Sequence, residues 1–168
     1  AILIFYNMGL FAIITMTPLY LRANHDFGWL ATAIAMALMM LLGAFAQPWM
    51  GKISDRVGRR PLVITGNAIA SGAAFVAWLS ASFVLTLVAL GVAITALVAI
   101  RAVLQAAAVD HAGKREGTSL GLTFAAMDGF AASAAVLAGL AGEHDLANAF
   151  LLASGFSLVA VFLAVALP

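Results

Sequence analysis

The chain has 168 residues, of which 65% are hydrophobic and 9% charged, with a formal net charge of +1. Soluble domains carry roughly a quarter charged residues, and so few charges do not solvate the exterior of a soluble fold of this size. Composition therefore excludes a soluble globular protein, and the absence of cysteine excludes disulfides, thiolate metal sites and a cysteine nucleophile.

The apolar residues come in long blocks with no amphipathic period, the pattern of helices that are apolar all round and belong in a bilayer. A hydrocarbon core of about 30 Å needs about 20 such residues. In chain order the sequence predicts spans at about 1–21, 29–50, 62–81, 83–109, 118–141 and 148–167. The first opens at Ala1, without a methionine and already inside an apolar run, which points to a piece of a longer chain. It ends at the polar stretch from Arg22 to Asp26. The second ends in the charged segment Gly51-Lys52-Ile-Ser-Asp55-Arg56-Val-Gly58-Arg59-Arg60, and Pro61 opens the third, where a missing N–H costs nothing in the first helical turn. A tight connection near Ser80-Ala-Ser82 precedes the fourth span. Asp110 to Gly117 separates the fourth from the fifth, and Glu143-His-Asp145 the fifth from the sixth.

Lys52, Arg56, Arg59 and Arg60 in the second connection, with Lys114 and Arg115 in the fourth, make those loops cytoplasmic by the positive-inside rule; the first has Arg22 alone. Six spans then leave both termini in the cytoplasm of a cell (cytoplasmic, or inner) membrane. Small residues mark helix contacts: Gly121, Ala125, Gly129 and Ser133 in the fifth span, with Ala131, Ala135 and Gly139 on a neighbouring stripe, and Gly66, Ala70 and Ala74 in the third.

The second connection has a chemistry of its own. Gly51, at the end of a span, allows a neighbouring helix to approach, and Asp55 suits the positive end of another helix or an arginine fork. Gly58 permits a positive φ. Arg59 and Arg60 suit bidentate pairing with a carboxylate, and Asp110, at the end of the fourth span on the same side, is the obvious one. Contacts of this kind break when helix bundles separate, so they can latch one conformational state.

These ten residues resemble motif A of the major facilitator superfamily, Gly-x-x-x-Asp-Arg-x-Gly-Arg-Arg, which lies between the second and third helices of a six-helix half. The resemblance implies an all-α integral membrane fold: one six-helix bundle over 1–168, built of 3+3 inverted repeats, as half of a twelve-helix carrier. It implies gating by Gly51, Asp55, Arg56, Gly58, Arg59 and Arg60, with Asp110 as gating partner. The implied function is secondary transport of a small solute by alternating access, of the proton-coupled efflux kind. The implied partners are the solute, protons, the lipid bilayer and the missing six-helix half or a second copy. The first-half fourth-helix pattern Arg-x-x-Gln-Gly is absent, since Arg101 and Gln105 are four apart with no glycine following. The antiporter subgroup's fifth-helix Gly-Pro pattern is absent too, and the stretch from Arg101 through Asp110 to Gly117-Thr-Ser-Leu-Gly-Leu looks like a second-half junction. Together these point to the C-terminal half.

Two ionisable residues lie inside spans, where charge is costly. Counting from the same side, Asp128 is about 16 Å along its helix and Arg101 about 13 Å along the preceding one, so the two are at similar depth and suited to pair. Asp128 is the candidate proton-coupling or substrate-binding carboxylate, with Arg101 its partner or a substrate group. The alternatives are a static ion pair, an aspartate facing water, or Arg101 snorkelling to the interface. Tyr6, Asn7 and Gln105 are candidate cavity-lining residues; Gln47 and Asn67 are softer ones. Trp29, Trp49 and Tyr20 suit the headgroup layer. His25, His111 and His144 lie in loops without ligand spacing, and no catalytic dyad or carboxylate cluster exists, so neither metal, cofactor nor enzyme activity is expected. The competing reading is a non-transporting six-helix membrane protein, structural or homodimeric. The basic residues are committed to two short loops, which leaves none for nucleic acid.

Overall fold

A computed structural model of the chain describes residues 1–25, 27–112 and 116–166. Six helices follow one another: α1 (Ile2–His25), α2 (Trp29–Val57), α3 (Arg59–Leu79), α4 (Phe83–Ala112), α5 (Glu116–Ala141) and α6 (Asn148–Ala166). All six are long and apolar enough to cross a membrane, and no strand occurs among the described residues. Lys114 and Arg115, which the charge reading of the fourth loop used, lie outside the described residues.

The second connection is not the loop that its charges suggest. Nothing between Gly51 and Val57 breaks a helix, so α2 runs on to Val57 and carries Asp55 and Arg56 on its last turns. The break falls on Gly58, at φ 88° and ψ 161°, a region essentially restricted to glycine. The Gly58 N–H donates to Ser54 O at 2.9 Å, and α3 begins immediately at Arg59 with Pro61 inside its first turn.

α1 packs on α5 and α6, α4 packs on α2 and α3, and α3 packs on α6. Exchanging α1 with α4, α2 with α5 and α3 with α6 returns the same set of packed pairs. The bundle is therefore two three-helix repeats, and because three helices bring the chain to the opposite side, the repeats are inverted. Ser71 and Ser154 sit at the pseudo-symmetry axis: Ser71 Oγ donates to Ser154 O at 3.0 Å and Ser154 Oγ to Ser71 O at 2.9 Å.

The core runs along α1 and α4, through Tyr6, Leu10 and Ile13 on one and Leu90, Ile94 and Leu97 on the other, all essentially fully buried. Alanines of α3 and α6 (Ala70, Ala74, Ala153, Ala160) close it from behind. α2 and α4 approach closely at Gly43, where a Cβ would stand 2.6 Å from Val98 Cβ and 3.0 Å from Thr95 O. Across that contact Gln47 Nε2 donates to Val98 O at 3.0 Å and Thr95 Oγ1 to Met39 O at 3.2 Å.

The small-residue stripes divide. Gly66, Ala70 and Ala74 are buried, as a packing stripe should be. Gly121 and Gly129 of α5 have nothing within 4 Å of an added Cβ, because α5 turns a different face, Met127, Ala131, Ala134 and Ala138, into the bundle. α2 and α5 are the least covered helices, with 17% and 22% of their spanning windows buried against 39–50% for the others. In an apolar chain that leaves two broad faces awaiting lipid or another helix bundle.

Candidate functional site

The residues of the charged segment separate into two groups at one end of the bundle, hereafter the motif end. Arg59 opens α3, and its Nη1 lies 2.5 Å from Asp110 Oδ2 near the end of α4. Arg60 turns the other way and spans the end of α6: Nε donates to Ala164 O at 2.9 Å and Nη2 to Val165 O at 2.6 Å. These are carbonyls that a helix end leaves without intrahelical partners, at its negative pole, so a planar cationic fork satisfies them and the dipole together. Arg60→Lys keeps the charge but not the fork. It is expected to destabilise the fold by about 1–2 kcal/mol, read as a lower Tm of the purified full-length protein.

Asp55 and Arg56 are the second group. Both are exposed on α2, and neither makes an ion pair or hydrogen bond with another described residue. Gly51, expected to admit a close neighbour, has nothing within 4 Å of its would-be Cβ. The Arg59–Asp110 pair joins two helices of the same bundle, so rigid-body separation of this bundle from another leaves it intact. Gly51, Asp55 and Arg56 thus have no neighbour of this kind among the described residues of the bundle.

Midway along the bundle, Tyr6 and Asn7, which the sequence suggests as cavity-lining residues, are instead buried between helices. They are 0% and 1% exposed and tie α1 to both of its charged neighbours. Tyr6 Oη donates to Leu97 O of α4 at 2.7 Å, and Asn7 Nδ2 donates to Met127 O of α5 at 3.1 Å. Consecutive helical residues point about 100° apart, so one dipeptide reaches two helices at one depth. Asn7 Oδ1 stays buried with no partner among the described residues.

Between this double tie and the motif end, α1, α4 and α5 spread apart around a cleft of about 300 Å³, lined by Leu3, Ile4, Ala108, Leu122, Thr123, Ala126 and Met127, with Ala1 at its edge. Arg101 is one turn from Leu97 toward the cleft and is exposed. Gln105, half-buried one turn further on, makes no hydrogen bond with another described residue. Asp128 is exposed as well, but it and Arg101 form no ion pair. Their depths match; their directions do not. At about 100° per residue, Leu122, Thr123, Ala126 and Met127 occupy one half of α5 and Asp128 falls on the other. α4 packs mainly on α2 and α3 and α5 mainly on α1, so the two helices touch little, which keeps the charges apart.

A larger cavity of about 500 Å³ lies at the motif end among α1, α3, α4 and α6, with Arg59 and Arg60 on its rim and Val63, Leu104 and Leu163 on its walls. At the opposite end, Tyr20 is buried edge-on against Phe150 rather than set at a membrane interface. Trp29 is exposed there, with the Arg22 guanidinium 3.2 Å over its ring. No group of three or more metal-ligating side chains occurs among the described residues.

The family model for the Major Facilitator Superfamily matches residues 1–168, the whole chain. The chain belongs to the Major Facilitator Superfamily. No curated protein matches it. Membership makes it a multi-pass membrane protein of a transporter family, and the inverted repeat of its helices is the architecture of a superfamily half. Within that superfamily bundle, sequence reasoning missed Thr123, Ala126 and Ala108 as cleft residues. Their only signal was being small or hydroxylated inside otherwise bulky spans, and alanine is too abundant here for that to stand out.

Proposed function

We propose that this bundle is the C-terminal half of a proton-coupled secondary transporter that exports a small solute by alternating access across the cell membrane. The motif end faces the cytoplasm on this reading, because Lys52, Arg56, Arg59 and Arg60 are gathered there. The observation that carries the proposal is the cleft among α1, α4 and α5, open below the Tyr6–Asn7 tie, with the exposed Arg101 at membrane depth on the continuation of the α4 face that lines it. An exposed ionisable side chain at that depth needs water, a ligand or a partner helix. The uncovered faces of α2 and α5 supply the place for a second six-helix bundle, with the solute between the two.

On this reading Gly51, Asp55 and Arg56 form the gating contact to the other half, while Gly58 sets the turn and Arg59, Arg60 and Asp110 brace it from within. Asp128, on the half of α5 away from the cleft, is the proton-carrying carboxylate, its charge exchanged between water and a partner as the halves rock. The test is solute transport by the full-length protein in proteoliposomes, with the solute found by an uptake screen of expressing cells. Wild type is expected to respond to an imposed pH gradient, and Asp128→Asn to lose at least 10-fold of that response while keeping gradient-independent exchange. Unchanged pH coupling in the variant removes the proton role. Absence of any transported solute, together with a native particle containing only two copies of six helices, favours a non-transporting dimer.

A further inference from the structure

The charges near the cleft allow a statement about what enters it. Arg101 and Ala108 are seven residues apart on α4, within about 20° of the same direction, so the face that lines the cleft continues to Arg101 about 10 Å deeper. Tyr6 Oη of α1 reaches the Leu97 carbonyl, one turn before Arg101, and residues four apart point about 40° apart, which puts Arg101 on the α1 side of α4. Helical side chains tilt toward the N-terminus of their helix, so Arg101 leans back toward Leu97 and the blind end of the cleft. None of the cleft's lining residues is charged. Asp128 lies across α5 from it, and the Arg59–Asp110 pair at the motif end is neutral as a unit. Arg101 thus lies just beyond the lining itself, on the continuation of the α4 face that lines the cleft, and Arg60 on the rim of the adjoining cavity is a second cation on this side of the bundle.

We infer that the cleft admits an anion, and that the transported solute carries a carboxylate, sulfonate or phosphate group received by Arg101. Tyr6 is the positioning residue. Its hydroxyl binds the Leu97 carbonyl, the acceptor to which an α-helix also directs the Arg101 N–H, so Tyr6 fixes the peptide from which Arg101 is hung. The substrate class rests on the carrier reading; the anion preference of the cleft does not.

The absence of cysteine from this chain makes a direct test practical. Ala126→Cys places a thiol on the cleft wall of the full-length protein, with any cysteine outside this chain replaced by serine. Its rates of reaction with a sulfonatoethyl (anionic) and a trimethylammonioethyl (cationic) methanethiosulfonate are compared, each normalised to a free thiol. The anionic reagent is expected to be favoured at least 5-fold. Arg101→Gln should abolish the preference and Arg101→Lys preserve most of it. Tyr6→Phe should reduce it at least 2-fold without changing the summed rate or the elution profile. A preference insensitive to Arg101→Gln, a preference for the cation, or a thiol closed to both reagents in folded protein overturns the inference. A full preference in a protein that transports nothing upholds the anion site and sinks the carrier reading instead.

Discussion

Asp55→Asn is expected to slow transport by the full-length protein at least 10-fold while leaving its yield and Tm unchanged. The reason is position. Asp55 is exposed on the last turns of α2, and no bond between described residues is lost with its charge. A carboxylate meeting a helix end or an arginine of the other half contributes about 1–3 kcal/mol to the state in which they touch. A difference of that size moves a two-state balance about 5- to 150-fold. Asp110→Asn is the informative contrast. Its partner Arg59 belongs to the same bundle, and the pair is partly exposed, with side chains 32% and 55% accessible. Such pairs contribute about 0–1 kcal/mol, so this variant should lower Tm slightly and change the rate by less than about 5-fold. Equal losses in the two variants would return Asp110 to the gate.

Gly43→Leu is expected to prevent accumulation of folded protein. A side chain there meets Val98 at its branched, stiff Cβ and Thr95 at its backbone carbonyl, and neither gives way without moving a helix. Overpacking costs about 1–3 kcal/mol, or more where the clash is with backbone. Forcing α2 from α4 also breaks the Gln47–Val98 and Thr95–Met39 hydrogen bonds, each worth about 0.6 kcal/mol in a membrane. Gly72→Leu is the control: Gly72 is exposed and has nothing within 4 Å. Size-exclusion profiles of the two variants after detergent extraction decide the matter; a monodisperse Gly43→Leu protein with wild-type Tm contradicts the packing.

What was readable in the sequence follows from what a membrane constrains. Span length is set by bilayer thickness, so six helices could be counted, and Gly58 could be assigned a positive φ because a tight turn between charged spans requires one. The end of α2 could not, since a segment as polar as Lys52 to Arg56 is as stable in a helix as in a loop once outside the hydrocarbon. Depth was legible and direction was not. Counting residues put Arg101 and Asp128 at similar depth, but which side of α5 carries Asp128 depends on α5 packing through Met127, Ala131, Ala134 and Ala138. Helices apolar all round carry no stripe announcing that choice. The same ambiguity misassigned Tyr6 and Asn7. Polar residues near mid-span suit a cavity wall and an interhelical tie equally well, and only the carbonyls of Leu97 and Met127 decide between them.

That this bundle moves as one body against another is tested most directly by hydrogen–deuterium exchange of the full-length protein, with and without Asp55→Asn, which needs no knowledge of the solute. Loosening a gate at the motif end should raise exchange in α2 and α5 near residues 51–57 and 117–126. It should lower exchange at their opposite ends, near residues 29–35 and 136–141. Changes of the same sign at both ends, or none, would contradict alternating access by this bundle.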